Sequence, residues 1–231
     1  MNGKSFKQIL ILVALLAVPG FLYYLLQDKG KNRYRPLNIF GPKQVAATFH
    51  YKRGKKIADT VYHKISRFEL TDLSGNHITF PHDSTHISVF DFYYTRCYSC
   101  GVQNRYMESV VSEYADNKRL QFYSVNIDPE YDSPSKLSAY TKDYKYPPGK
   151  WIFLTGDEES IYKLARGQFL TDVYRDSKYP DSVIHRHLLI LVDTQNRIRG
   201  FYDALNKEQI DKLKDEIKVL IAEELRKVTD L

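Results

Sequence analysis

The sequence predicts an α/β domain behind an N-terminal membrane anchor, and three observations support this prediction. Short β-prone runs alternate with amphipathic helical stretches along most of the 231 residues, and an uncharged apolar run precedes them. The chain has only two cysteines, three positions apart. A disulfide framework would need more cysteines spread along the chain, and so short a bridge would constrain the unfolded state little. The cysteine pair therefore favours a chemical role over a structural one.

The uncharged run covers residues 9–26 and approaches the length of about 20 residues that a membrane-spanning helix needs. Tyr23 and Tyr24 occupy the position of an interfacial aromatic belt. A cleaved signal peptide is the alternative, although its apolar region is usually shorter. We therefore expect an uncleaved anchor over residues 1–27.

A polar segment over residues 28–48 contains Pro36, Gly41 and Pro42 and predicts a linker between the anchor and the domain. Residues 49–231 then form one predicted domain. The net charge of +6 is compatible with an anionic partner. Because no helix interleaves clustered Lys and Arg with aromatic residues, we do not expect nucleic-acid binding.

The elements of the domain follow from local patterns. Residues 67–72 and 77–80 flank a Ser-Gly-Asn turn and predict a β-hairpin. Residues 87–94 predict a central strand, and helical spacing follows over residues 101–116. The remaining predicted elements are a strand at 120–128, a helix opened by Ser133 and Pro134, a strand at 151–155, a helix at 157–167, paired strands at 187–193 and 198–203, and a helix capped by Asn206.

This order of elements is that of the thioredoxin fold, extended by an N-terminal β-hairpin and an inserted strand–helix unit. In it, Cys97 and Cys100 fall where the central strand ends and a helix begins. Backbone amides and the helix dipole stabilise a thiolate there, and a thiolate exchanges disulfides or ligates soft metals. Thioredoxin-like oxidoreductases place a cis-proline opposite their cysteines, whereas here that position is His187, with His185 two residues earlier. The residues leave open a disulfide-exchange centre and a copper site with one of these histidines as third ligand.

The chain resembles the Sco/SenC family, thioredoxin-fold copper proteins that help to assemble the binuclear copper centre of cytochrome c oxidase. The resemblance spans about residues 65–204. It is carried by the segments FELTDLSGNHITF, FYYTRCYSC, YSVNIDPEYDSP, KWIFLTGDEESIYKLA and HRHLLILVDTQNRIRGFYD. It implies copper ligation by Cys97, Cys100 and His185, with Asp128 near the site, and it leaves His187 outside the motif.

One departure from the family concerns the cysteine spacing. The family has three residues between its cysteines, whereas this chain has Tyr98 and Ser99. The resemblance implies a membrane-anchored copper-binding factor that delivers copper to, or prepares, the copper centre of cytochrome c oxidase. The copper-bearing oxidase subunit or its assembly factors would be its partners. The short spacing keeps open a thiol–disulfide reductase that acts on partner cysteines through Cys97 and Cys100.

Two further alternatives are a non-enzymatic relative with a vestigial site and a peroxidase that uses Arg96.

The sequence gives conflicting indications of the orientation in the membrane. The cations that follow the apolar run favour a cytoplasmic domain by the positive-inside rule. The resemblance instead implies a single-pass protein of the cell membrane whose domain faces the periplasm or extracytoplasmic side. The remaining histidines are predicted to lie on the surface: His50, His63, His77, His82 and His86.

Overall fold

The computed structural model describes residues 3–30, 36–83 and 85–229 and divides into two compact units, Met1–Pro36 and Leu37–Leu231. The first unit contains helix α1 (Gly3–Gly30), in which the large apolar side chains that the structure describes are exposed. Within the described ranges, no helix combines the length and the hydropathy of a membrane span. The predicted transmembrane helix is therefore not confirmed.

In the second unit, the described residues form eleven strands and four helices. In chain order they are β1 (Lys43–Lys52), β2 (Lys55–Tyr62), β3 (Phe68–Asp72), β4 (His77–Phe80), β5 (Ile87–Tyr93), α2 (Tyr98–Glu113), β6 (Leu120–Asn126), α3 (Pro134–Thr141), β7 (Trp151–Thr155), α4 (Glu158–Gly167), β8 (Val173–Arg175), β9 (Val183–His185), β10 (Leu188–Val192), β11 (Ile198–Asp203) and α5 (Lys207–Thr229). From β3 onward, all the strands and helices predicted from the sequence are present.

A seven-stranded sheet organises this unit, in the order β11-β10-β5-β6-β7-β3-β4. The central strands β5, β6 and β7 run parallel, and the outer strands pair antiparallel. Every residue of β5 is buried, as expected for a strand covered on both faces. Helix α2 contacts α5, and α5 contacts β11. The carboxyl end of the buried β5 thus leads directly into α2.

The helix starts follow the capping signals in the sequence. Ser133 accepts a hydrogen bond from the amide of Lys136, with Pro134 at the first position of α3. Asp157 caps α4 in the same way through the amide of Ser160. Helix α2 begins at Tyr98, three residues earlier than its apolar spacing indicates, because Cys97 itself is the cap. The cap therefore places both cysteines at the helix entrance.

The segment predicted as a linker differs from the structure in part, and its residues 31–35 lie outside the described residues. Residues 43–48 belong to β1, which pairs with β2 in a separate two-stranded sheet. Both turn residues, Arg53 and Gly54, have positive φ, as the tightest hairpin turns require. The start of the unit is fixed by Arg199, whose guanidinium donates to the carbonyls of Leu37 and Asn38. A polar, proline-containing composition did not distinguish this segment from a linker.

The sequence reasoning also missed the short hairpin formed by β8 and β9. Each strand has three residues, too few to show a period, and Val173 pairs with His185. The hairpin ends at His185, so it carries one of the predicted site residues.

Candidate metal and redox centre

The cysteines lie at the junction of β5 and α2, where Cys97 and Cys100 are joined by a disulfide. The amide of Cys100 donates to Sγ of Cys97 at 3.0 Å. Cys100 is fully buried, Cys97 is partly buried, and Tyr98 beside it is 92% exposed. The amide and the positive end of the helix stabilise negative charge on Cys97 Sγ. Reduction would therefore leave Cys97 as the more accessible and more readily ionised thiol.

His185 approaches the cysteines from the end of β9. Its Nε2 lies 3.4 Å from Sγ of Cys100, and its Nδ1 lies 3.3 Å from the carbonyl oxygen of Val183. A carbonyl oxygen only accepts hydrogen bonds, so Nδ1 carries the proton and Nε2 presents its lone pair to the sulfur. The structure thus brings together the three residues that the sequence singled out.

His187 also lies at this site, contrary to the expectation that only one of the two histidines would do so. The two imidazole rings are 4.5 Å apart. One ligand atom from each of Cys97, Cys100, His185 and His187 lies within 4.8 Å of the others. Side chains two positions apart on an extended chain point to the same side, and this signal was present in the sequence.

Both histidines are electrically neutral at neutral pH. Burial, together with the neighbouring His187, lowers the pKa of His185 to about 4. Burial also lowers the pKa of His187 from its ordinary value. Neutral imidazole is the form that binds metal ions. The arrangement can therefore supply two thiolates and two uncharged nitrogen donors once the disulfide is reduced.

Asp128 links the residue that precedes Cys97 to the β8–β9 hairpin, which carries His185. Its buried carboxylate accepts from Arg96 Nη2 at 2.6 Å and from Arg175 Nη1 at 2.9 Å. Arg96 immediately precedes Cys97, and Arg175 lies in β8, the partner strand of β9. We call Arg96, Asp128 and Arg175 the Asp128 clasp. The guanidinium of Arg96 is thus engaged by Asp128, and this arrangement gives no support to the peroxidase alternative.

A second carboxylate, in the segment that follows β6, was missed by the sequence reasoning. Asp132 accepts from the amide of Thr95 at 2.9 Å and also from the Thr95 hydroxyl. Nδ2 of Asn126, at the end of β6, donates to it at 2.6 Å. The repeated acidic residues after β6 were the available signal, since the carboxyl ends of parallel strands meet at one edge of a sheet. Asp128 and Asp132 together hold the chain that leads into Cys97.

The comparison with protein families decides the identity of this arrangement. The SCO1/SenC family model matches residues 58–222, more than half of the chain and all of its site residues. The chain belongs to the SCO1/SenC family. A SCO1 protein homolog of Bacillus subtilis (strain 168) is 23% identical over 168 residues, which cover 71% of this chain and 86% of the relative.

Solved structures of SCO1/SenC proteins share the fold. A family lipoprotein from Bacillus anthracis gives a TM-score of 0.62 at 23% identity, over 69% of this chain and 95% of that one. Arabidopsis thaliana ScoI with copper bound gives 0.55 at 21% identity, over 66% and 97%. Yeast Sco1 with copper bound gives 0.53 at 22% identity, over 68% and 89%. The predicted α/β thioredoxin-like fold is therefore confirmed.

The other histidines stay apart from this SCO1/SenC site. His50, His77 and His82 are exposed. His63 is half-buried and bonds to the carbonyl of Gln168 at 2.7 Å, which gives it a structural role. His86 bonds to Asp83 at 2.7 Å.

Replacing Asp128 by asparagine is expected to lower the free energy of unfolding by about 2 kcal/mol, since hydrogen bonds to charged groups contribute about 1.5–3 kcal/mol each. The loss stays moderate because Arg96 and Arg175 both reach solvent. Asp181→Asn is the matched control, because Asp181 also contacts Arg96 but is 95% exposed. Urea unfolding measures both variants. Equal stabilities of the two would contradict the role of the clasp.

Proposed function

We propose that this SCO1/SenC protein binds copper in its dithiol form and delivers it to, or prepares, the copper centre of cytochrome c oxidase. The observation that carries the proposal is the 3.4 Å approach of His185 Nε2 to Cys100 Sγ, beside the second sulfur. Thiolate and imidazole donors suit copper. The relatives with copper bound, and BsSco, described as a member of a family of cytochrome c oxidase assembly proteins, support the assignment.

The chain must be reduced before it can take up copper as cargo. In the disulfide each sulfur is bonded to the other, so two electrons and two protons are needed to produce the two thiols. The Cys100 amide then stabilises the Cys97 thiolate, and the Val183 carbonyl keeps Nε2 of His185 directed at the cysteines. Disulfide formation and copper binding therefore exclude each other.

The test is an anaerobic Cu(I) titration of the reduced chain against a competing chelator. We expect one copper per chain and a loss of more than about 100-fold in affinity for Cys97→Ser, since even the groups that orient metal ligands are worth about 10- to 100-fold. Ser99→Ala is the matched control, because it changes the same loop and keeps both sulfurs. Copper affinity that is equal in wild type and Cys97→Ser would refute the proposal. In cells, oxidase that keeps its copper centre when the chain carries Cys97→Ser would refute the assembly role.

A second candidate function is thiol–disulfide reduction of a partner protein. The observation that favours it is the disulfide closed across a two-residue spacing, with the exposed Tyr98 beside the more accessible sulfur. In this reaction the dithiol passes two electrons to a partner disulfide and becomes the disulfide itself. Exchange between the reduced chain and an oxidised dicysteine peptide measures it. A pair that exchanges with no such peptide would exclude this function.

We also propose that residues 9–26 tether the domain to the cell membrane, with the domain on the extracytoplasmic side. The exposed apolar side chains of α1, including Leu15, Leu16 and Phe21, support a lipid-facing role. Membrane fractionation of the full chain and of a chain lacking residues 1–36 tests the tether, and protease protection tests the side. A full chain that stays in the aqueous fraction would refute it.

A further inference from the structure

The two histidines of the site are held in the same tautomer by different parts of the fold. Nδ1 of His185 faces the carbonyl oxygen of Val183, and Nδ1 of His187 lies 3.1 Å from Oε1 of Gln103. Both of these oxygens are acceptors, so both Nδ1 atoms carry hydrogen. Each ring is thereby left with a lone pair on Nε2.

The orientation of the Gln103 amide is fixed by its own partners. Its Nε2 donates to Oδ2 of Asp91 at 2.6 Å and to the carbonyl of Phe92 at 2.9 Å. Both hydrogens of the amide nitrogen are thus used, and Oε1 is the atom that must face His187. Gln103 and Asp91 are completely buried. A buried series of polar side chains lowers stability unless every member is hydrogen-bonded. That this series ends at His187 therefore points to a role for His187.

Asp91 is in turn anchored in the sheet. The hydroxyl of Ser124 on β6 donates to Oδ1 of Asp91, and Nε1 of Trp151 on β7 donates to Ser124 Oγ at 2.8 Å. Three neighbouring parallel strands therefore support the position of one imidazole. An outer group that accepts from the second nitrogen of a histidine is typical of metal-binding histidines, where it fixes the ring and raises its basicity.

We propose that the reduced site binds its metal ion through four ligands, Cys97, Cys100, His185 and His187, with Gln103 and Asp91 as the residues that position His187. The inference rests on the proposed function and extends it. In the disulfide form the four donors lie within 4.8 Å of one another, close to the spacing of a tetrahedral site. With metal–sulfur bonds of about 2.3 Å and metal–nitrogen bonds of about 2.0–2.1 Å, neighbouring ligands lie roughly 3.3–3.8 Å apart.

A set of two sulfur and two nitrogen donors can bind either copper or a divalent ion of the zinc class. Binding of such an ion involves no electron transfer. Such an ion would be held by the two sulfurs and by one ring nitrogen of each histidine, and the two thiol protons would be released to solvent. No ligand position would then be left for a further group.

The test uses Co²⁺ as a spectroscopic probe of the full chain, reduced and kept anaerobic in detergent. Tetrahedral coordination by sulfur and nitrogen gives strong ligand-field absorption in the visible range. We expect this spectrum in wild type, a changed spectrum and weaker binding in His187→Ala, and restoration of the spectrum by added imidazole. His77→Ala is the matched control, since it removes an exposed histidine away from the site.

Gln103→Leu removes the acceptor for His187 and keeps the volume of the side chain nearly constant. We expect Co²⁺ affinity to fall by about 10- to 100-fold, the usual effect of losing a group that orients a metal ligand. The spectrum should change with it, which a loss of stability alone would not produce in chains that remain folded by Trp151 fluorescence. The same Co²⁺ spectrum and affinity in wild type and His187→Ala would overturn the inference and leave copper binding through three ligands intact. A wild-type chain that binds neither Cu(I) nor Co²⁺ would overturn both proposals.

Discussion

Replacing Arg199 by methionine is expected to lower the free energy of unfolding by about 3–5 kcal/mol, because removal of one member of a buried ion pair leaves the other charge uncompensated. Arg199 lies in β11 and is 2% exposed. Its guanidinium donates to Asp193 at 3.0 Å and to both oxygens of Glu223. It also holds the carbonyls of Leu37 and Asn38, so the variant loses the contacts that fix the start of the domain.

Arg105→Met is the matched control for this substitution. Arg105 also pairs with a carboxylate, that of Glu108, but its side chain is 58% exposed. We expect its stability to stay close to that of wild type. Urea unfolding can be followed through Trp151, the only tryptophan of the chain, which is buried in β7. Limited proteolysis near residues 37–42 gives a second readout. An Arg199 variant as stable as the Arg105 variant would disprove the anchoring role.

Replacing Asp91 by asparagine is expected to remove a pH dependence of stability. Burial raises the pKa of the Asp91 carboxyl to about 7, although hydrogen bonds from Ser124 and Gln103 act in the opposite direction. Between about pH 4 and pH 7 the folded chain keeps a proton that the unfolded chain has released, so the free energy of unfolding falls as pH rises. Each pH unit contributes about 1.4 kcal/mol, so wild type loses up to about 4 kcal/mol relative to the variant over this window.

Urea unfolding of both proteins from about pH 4 to about pH 8 measures this difference. The variant should be the more stable protein above neutral pH, and the advantage should disappear toward pH 4, where unfolded aspartate is also protonated. Asp172→Asn, at an exposed position, should follow wild type at every pH. Parallel stability curves for wild type and Asp91→Asn would show that Asp91 is ionised in the folded chain.

The order of elements from β3 to α5 could be predicted because each element carries its own local signal. The apolar run of β5, the cap at Ser133 and the periodic apolar face of α5 are all readable without tertiary information. The cysteine pair and His185 were found through their spacing and a family resemblance. These features depend on the chain alone, or on a motif that repeats in relatives.

The missed features depend on contacts between distant segments. Asp91 is the one acidic residue of the largely apolar strand β5, and only its contact with Gln103 on α2 connects it to His187. The Asp128 clasp joins residues that are 32 and 47 positions apart in sequence. The β1–β2 hairpin has largely exposed strands, so its composition is similar to that of a linker. Sequence periodicity reports burial, and none of these features is a simple consequence of burial.

Two sets of contacts hold the site, the Asp128 clasp and the Asp91–Gln103 pair, and they differ in their response to ionic strength. The clasp side includes the contact of Arg96 with the exposed Asp181, and at about 1 M salt the screening length falls to about 3 Å, which weakens such exposed pairs. The Asp91–Gln103 side is buried and is screened much less. Salt should therefore weaken the Arg96–Asp181 contact and leave the buried Asp91–Gln103 contact in place. Concentrated electrolyte would thus act on the Arg96 side of the site while the surroundings of His187 stay unchanged.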